Sequence, residues 1–340
     1  MSINLKELST RLGLSPTTVS RALAGYRDVS PATRERVRAA AREFGYQPNR
    51  AARQVAMGRA DAIGIIYSPA SEFLGNPSFR ETLEGLSHYL EQTETDLLLA
   101  AAPRQNELRV YERMVSGRRV DALVVAHTLR LDPRIDYLMS ARFPFVAYGR
   151  TTLPDDYPWL DFDNQSGSRL AVEHLLALGH RRIAYVHAPL ELNFAWERHE
   201  GYLQTMREAG IEPRPEWIAG GSVSRRTGHA AAKALLALRP RPTAVIVDNN
   251  AGGIGLIRAL LDAGIKIGRE MSVVVNEGIQ EDSLFAPLTV ASVLQPTPYR
   301  SGQSLGEMVL GLLGRQPLPE RQVLRQPVFA EGSSVGPPLD

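Results

Sequence analysis

Residues 15 to 23 read SPTTVSRAL and set Thr17, Thr18, Ser20 and Arg21 on one short helical pattern behind Ser15 and Pro16. Hydroxyls and a guanidinium are donors and acceptors that can pair with base edges or grip phosphates. Val19 and Leu23 are the apolar stripe of that pattern. So small a helix fits a major groove about 12 Å wide.

A second set of residues suits different chemistry. Asn76, Phe79, Tyr148, Arg150, Asp163, Trp196, Arg198, Asn249 and Glu277 fall at predicted strand ends or on the loops and helix starts beyond them. Carboxylates, amides and guanidinium groups pair with several hydroxyls at once, and an aromatic face covers the apolar side of a sugar ring. Some members have competing roles. Phe79 also fits a core, Arg150 an ion pair closing two lobes, and Asp163 the cap of a helix beginning NQSGSRLA.

Reaction chemistry finds little support. The chain has no Cys, which excludes disulfides, thiolate metal sites and Cys nucleophiles. It contains no G-x-S-x-G elbow, no H-E-x-x-H and no Walker loop. VDNNAGGIGLIRAL follows a predicted strand and opens a helix as a dinucleotide loop does, with Gly253 and Gly255 at its first two glycines. Arg258 stands where the third is needed, so the fingerprint is broken. The seven His are scattered, and His180 in GHRRIAYV reads as a strand-entry residue. The expectation is no enzyme, no cofactor and no metal.

The elements that position these residues follow from periodicity. Leu5, Leu8 and Leu12 behind Asn4 predict a helix over residues 5 to 12, ended by Gly13. Ser15 and Pro16 start a second helix, and Ser30 and Pro31 a third. The third carries Val37, Ala41 and Phe44 inward and stops at Gly45. Two helices joined by a tight turn and braced by a third form a helix-turn-helix, whose second helix lies in the major groove. Charge supports that reading. Residues 1 to 60 hold 11 Lys+Arg against 4 Asp+Glu, whereas the remainder holds 28 against 33. Only the head suits a polyanion.

From DAIGIIYS at residue 61 onward, short apolar runs such as ALVVA, RIAYVHA, TAVIVDN and SVVVNEG alternate with helix-length stretches. That order predicts α/β layers around parallel sheets, repeated in two halves that divide near Asp163. Two such lobes place a ligand in the cleft beyond their strand ends. With 340 residues, 44% hydrophobic, the chain has room for two or three domains. The start MSINLKELST lacks a signal-peptide pattern and no apolar run approaches the roughly 18 residues of a span, so a cytoplasmic protein without membrane contact is expected.

LSTRLGLSPTTVSRALAG, VSPATRERVRAAAREFGYQPNRAAR and GRADAIGII resemble the head of the lactose-repressor/galactose-repressor family of bacterial transcription regulators. NPSFRETLEGL, FVAYGR, DFDNQSGSRLAVEHLLALGHRRIAYV, RHEGYLQTMREAGI, RPTAVIVDNN and APLTVASVLQP resemble its effector domain. The resemblance implies an all-α helix-turn-helix head over residues 1–47, a hinge over 48–60, and an α/β two-lobed body of type I periplasmic-binding-protein-like fold over 61–340. Its lobes would comprise residues 61–162 with 296–325, and 163–293 with 327–340.

The resemblance further implies that Pro16, Thr17 and Arg21 read bases, that Thr18 and Ser20 lie beside phosphates, and that Ser15, Asn49, Arg50 and Arg53 join the DNA-contacting set. NRAARQVA, residues 49–56, would be a hinge helix that folds on the operator and presses Val55 into the minor groove. Val55 replaces the family's usual Leu, a larger wedge. In the cleft, Arg198 and Asn249 lead the ligand set, Phe79, Arg150 and Asp163 follow, and Glu277 in VNEG stands where the family commonly has GFDD. Trp196 is added from its neighbourhood alone.

The function implied is an allosteric repressor of carbohydrate-utilisation genes, released from a palindromic operator of double-stranded DNA by a small-molecule effector of the sugar class. A homodimer is expected, and the tail FAEGSSVGPPLD has no heptads for a tetramerising coil. The alternatives are a purine- or sugar-phosphate-responsive regulator of the same architecture and a sugar-binding protein of transport type. The last would carry a signal peptide and no basic head.

Overall fold

The computed structural model describes residues 3–23, 25–26, 28–46, 58–68, 77–93, 95–153, 156–279, 287–318 and 320–339. Two units emerge, residues 1–60 and residues 61–340.

The first unit is built from three capped helices. Helix α1 (Leu5–Leu12) begins with a reciprocal box in which Asn4 Oδ1 accepts from the Glu7 amide at 2.9 Å and Glu7 Oε2 from the Asn4 amide at 3.1 Å. Gly13 then takes φ 63°, a left-handed conformation that ends the helix. Helix α2 (Pro16–Leu23) starts where Ser15 Oγ accepts from the Thr18 amide at 3.0 Å, and α3 (Pro31–Glu43) where Ser30 Oγ accepts from Thr33 at 3.2 Å. Each such cap is worth about 1 kcal/mol. Leu8, Leu12, Val19, Ala22, Val29, Val37, Ala40 and Ala41 form the small buried core. Arg36 Nη2 donates to the Leu12 carbonyl at 2.6 Å, which ties α3 to the end of α1.

The second unit alternates strands and helices. In chain order its first part comprises β1 (Ala62–Tyr67), α4 (Pro77–Glu91), β2 (Asp96–Ala101), α5 (Glu107–Ser116), β3 (Ala122–Ala126), α6 (Pro133–Ser140), β4 (Phe145–Tyr148) and β5 (Trp159–Phe162). Then come α7 (Asn164–Ala177), β6 (Ile183–Val186), α8 (Asn193–Glu208), β7 (Ile218–Ala219), α9 (Arg225–Ala237), β8 (Ala244–Val247), α10 (Asn250–Asp262), β9 (Ser272–Asn276) and β10 (Ala291–Leu294). The chain closes with α11 (Pro298–Leu312), β11 (Gln322–Arg325) and β12 (Val328–Ala330).

Two six-stranded sheets result, ordered β11-β5-β4-β3-β1-β2 and β12-β10-β9-β8-β6-β7. All pairings are parallel except β10 with β12. Parallel strands covered on both faces need near-continuous apolar runs, which is why Ile63, Ile65, Val124, Val146, Val245, Val247, Val273 and Val275 are all buried. The chain passes between the sheets three times: after β5, between β10 and α11, and between β11 and β12.

Glycines allow close helix contacts. A Cβ at Gly255 would lie 1.9 Å from the Arg225 carbonyl, and one at Gly228 would lie 2.0 Å from that of Gly252, so α9 and α10 meet backbone to backbone. Gly253 faces the Val275 side chain. The glycines of VDNNAGGIGLIRAL are therefore packing residues, Gly252 and Gly255 against α9 and Gly253 against β9. No helix among the described residues is long and apolar enough to cross a membrane.

Candidate nucleic-acid interface and ligand cleft

In the head, Ser15, Pro16, Thr17, Ser20 and Arg21 are exposed and Thr18 is half-buried, while Val19 and Ala22 turn inward. The first turns of α2 thus offer polar side chains outward from a rigid apolar seat. Ser15 and Thr18 share a hydroxyl contact of 2.8 Å, which makes Ser15 a cap first. Arg21 Nη2 lies 2.5 Å from Asp28 Oδ2, with its guanidinium carbon 5.0 Å from the Tyr26 ring centre. Asn49, Arg50, Arg53 and Val55 lie outside the described residues, as does Asn76 of the ligand set.

A cavity of about 850 Å³ opens between the two sheets of the second unit, beyond the carboxyl ends of β1, β3, β4, β5, β8 and β9. Phe79, Tyr148, Arg198, Asn249 and Glu277 all line it. Arg198, 3% exposed on α8, is the hub of one wall. Its Nε donates to Asn164 Oδ1 at 2.9 Å, and its Nη1 to Glu277 Oε1 at 3.1 Å and to the Asp248 carbonyl. Three acceptors in fixed directions require a planar fork, which Lys lacks.

Asn249 caps α10, its Oδ1 accepting from the Gly252 amide at 2.8 Å. Its Nδ2 donates to Asp248 Oδ1 at 2.6 Å and to the Ser222 carbonyl at 2.7 Å. Asp248 is wholly buried, and burial pushes its carboxyl up to about 7 although Arg198 pulls the other way. Glu277 holds φ 72°, so its backbone occupies the left-handed region to aim the side chain at Arg198. Phe79 packs into the core under the first sheet and also lines the cavity. Tyr148 is half-buried, and burial raises its hydroxyl to about 12, so it remains a neutral donor and acceptor.

Three expected ligand residues do not line the cavity. Arg150 is drawn into ion pairs, with Nε 2.8 Å from Asp161 Oδ2 and Nη2 3.2 Å from Glu197 Oε1. Asp163 caps α7, its Oδ1 accepting from the Ser166 amide at 3.0 Å. Trp196 lies under the Arg130 guanidinium, whose carbon is 4.4 Å from the ring centre. A charged or aromatic side chain at a strand end has two directions open to it, and local partners took these three away from the cleft.

Other residues join the cleft that sequence reasoning passed over. Asn164 sits beside Asp163 and holds both Arg198 and Glu197, through its Oδ1 at 2.9 Å and its Nδ2 at 3.3 Å. Phe194, one turn before Arg198, places its ring centre 4.9 Å from that guanidinium carbon and lines the cavity. The signal was available for Phe194, because i and i+4 share a helix face. On the opposite wall, Arg134 gathers Glu107 at 3.0 Å and Asp132 at 2.6 Å. Asp132 caps the helix that carries Arg134, whereas Glu107 starts a different helix, so the pairing with Glu107 has no local pattern in sequence.

The two halves also touch directly. Leu129 and Leu192 form an antiparallel bridge, flanked by Arg130 N to Glu191 O at 2.9 Å and Asn193 N to Thr128 O at 3.0 Å. Asn250 Nδ2 donates to Ser78 Oγ at 3.0 Å elsewhere in the cleft.

A polar head with an outward-facing second helix, joined in sequence to a two-sheet body with a polar and aromatic cleft, has clear counterparts. A family model described as bacterial regulatory proteins, lacI family, matches residues 4–49. Another, described as periplasmic binding proteins and sugar binding domain of LacI family, matches residues 60–323. The chain belongs to the LacI family.

LacI-family membership makes it a ligand-responsive, DNA-binding transcriptional regulator of helix-turn-helix type, not an enzyme. The HTH-type transcriptional regulator RafR of Escherichia coli is 38% identical over 340 residues, covering 99% of both chains. AglR of Rhizobium meliloti strain 1021, another regulator so described, is 33% identical over 346 residues, with 100% of this chain and 96% of its own covered. Among solved structures, a complex of the transcriptional regulator CelR with cellobiose superposes with a TM-score of 0.72 at 27% identity, covering 98% of this chain and 99% of its own.

Proposed function

We propose that the chain is a cytoplasmic, homodimeric repressor of carbohydrate-utilisation genes that leaves a palindromic operator when a sugar enters the cleft. The observation that carries the sugar is the composition of one wall. Arg198, Asn164 and Glu277 form a fork-and-acceptor array beside the ring of Phe194, with the rings of Phe79 and Tyr148 on the first sheet's side of the cavity. Hydroxyl-rich rings need both: paired donors and acceptors for the edge, and an aromatic face for the C–H surface. The cellobiose found with CelR supports the same class.

A dimer follows from the operator. Two heads related by a two-fold axis read two half-sites one turn apart, so protein symmetry and palindrome imply each other. Pro16, Thr17 and Arg21 are assigned to base edges and Ser15, Thr18 and Ser20 to phosphates, with Asn49, Arg50, Arg53 and Val55 completing the contact from the hinge. Effector must favour one lobe arrangement over another, because equal affinity for both shifts nothing.

Thermal denaturation of the full chain with monosaccharides, disaccharides, sugar phosphates and purines tests the effector class. Ligand at 100 times its Kd adds about 2.7 kcal/mol of stability. A rise in Tm confined to neutral sugars is expected, and a rise confined to purines or sugar phosphates would overturn the assignment.

A further inference from the structure

The cavity has a second polar wall that the sugar reading does not use. Glu107, at the start of α5, lines it together with Arg104, Arg134 and His127. Glu107 Oε2 accepts from Arg134 Nη1 at 3.0 Å, while its other oxygen accepts from no described residue. Arg134 is 5% exposed, and its Nε and Nη2 donate to Asp132, at 2.9 and 2.6 Å, and to the His127 carbonyl at 3.0 Å. The Asp132 carboxylate, with no exposed surface, already matches Arg134 charge for charge. Glu107 is therefore surplus to the neutralisation of Arg134, and burying a surplus carboxylate is costly unless it gains hydrogen bonds. The fixed bond to Arg134 aims that carboxylate at the cavity.

Volume says what it meets. A hexose has about twelve non-hydrogen atoms and fills roughly 360 Å³ even if each takes the ~30 Å³ share of a liquid water. The cavity holds about 850 Å³, so one ring against Arg198 leaves more than half of it to solvent. Two linked rings, about 23 such atoms, need roughly 690 Å³ on the same scale and fit. Arg198 and Asn249 belong to the second sheet's half and Glu107 to the first sheet's half. A two-ring ligand engages both walls.

The geometry points to Glu107, held by Arg134, as a second subsite that accepts hydroxyl hydrogen bonds from the second ring of a neutral disaccharide, with Arg198, Asn249 and Glu277 holding the first. This rests on the sugar reading and deepens it. The second ring thereby adds a contact in the first sheet's half, at Glu107, that a monosaccharide seated between Arg198 and Tyr148 does not reach.

Calorimetric titration of the full chain with glucose, galactose, maltose, cellobiose, lactose, sucrose, glucose 6-phosphate and hypoxanthine tests it, on the wild type and on Glu107→Gln. At least one disaccharide is expected to bind thirtyfold or more tighter than either constituent monosaccharide. Glu107→Gln should cut that ratio about tenfold while monosaccharide affinity stays put. Second-ring deoxy analogues of the best disaccharide give a check independent of the variant's folding: one deoxygenation should cost the wild type about tenfold and Glu107→Gln nothing further. A purely structural Glu107 would shift Tm and leave the ratio unmoved, and that outcome overturns the subsite. Equal binding of monosaccharide and disaccharide overturns it while leaving the sugar reading standing. Binding of hypoxanthine or glucose 6-phosphate alone, or no sugar at all, defeats both.

Discussion

Arg150 Nη2 donates to Glu197 Oε1 at 3.2 Å, joining the end of β4 in one sheet to α8, which packs against the other. The contact is a clasp between lobes. Asn164 and Asn193 complete the shell of Glu197, at 3.3 and 3.1 Å. Burial, and then the nearby Asp161 charge, push the Glu197 carboxyl up to about 7.

That shift has a pH signature. Between its ordinary range near 4.5 and about 7, the folded chain binds a proton at Glu197 that the unfolded chain has lost. The contribution to stability is therefore greatest below that window and declines as pH rises through it. His127, pushed down to about 3, and His199, to about 4, both by burial first, act in the opposite sense over an overlapping window. The informative quantity is the Tm difference between the wild type and Glu197→Gln. The wild type should lose ground to the variant from pH 5.5 to pH 8, and parallel curves would contradict the shift.

Arg21 rests on Asp28 and Tyr26 in the free head, an exposed pair of the kind worth less than about 1 kcal/mol. Operator contact can break it cheaply. Arg21→Ala should cost about 1–3 kcal/mol at one base position and relax selectivity there. Binding-site selection with wild type and variant reads the change directly, and identical consensus sequences would remove Arg21 from the base-reading set.

Arg198→Lys keeps the charge and loses the fork. One ammonium cannot reach Asn164, Glu277 and the Asp248 carbonyl together, so effector affinity should fall by about 1.5–3 kcal/mol. Operator affinity without effector should persist. Calorimetry paired with DNA anisotropy separates the two, and an unchanged effector Kd would move the site off this wall.

Gly255→Ala would press a methyl against the Arg225 carbonyl, 1.9 Å from the ideal Cβ position. Helices α9 and α10 must separate to admit it, at a cost of roughly 2 kcal/mol or more. Chemical denaturation measures this, and a change below about 0.5 kcal/mol would show that the pair tolerates separation.

Much of this was legible in sequence, for identifiable reasons. The three head helices follow from Asn4, Ser15, Ser30 and Gly13, whose roles are local and act within one turn. The parallel sheets follow from apolar runs such as AVIV and SVVV, because burial on both faces leaves no alternation to misread. Trp196 shows where that clarity ends, while Arg150 and Asp163 had two roles open in sequence and the fold takes the ion pair and the cap. Each was placed at the correct end of a strand or helix, but side-chain direction there depends on Glu197, Ser166 and Arg130. Ser166 is three residues from the group it meets, whereas Arg130 and Glu197 are contacts that only the folded chain brings together. The Arg134 cluster is hidden for the same reason, since Glu107 and Arg134 belong to different helices.

Cleft and head of a sugar-responsive regulator must be energetically coupled through the sugar. Fluorescence anisotropy of the full chain on a labelled duplex from in vitro selection, titrated with the disaccharide that binds best, tests that coupling most directly. Saturating sugar is expected to weaken operator binding by tenfold or more, and in Arg198→Lys the sugar concentration needed for that loss should rise roughly ten- to a hundredfold. Operator affinity indifferent to every sugar that binds the cleft would contradict it.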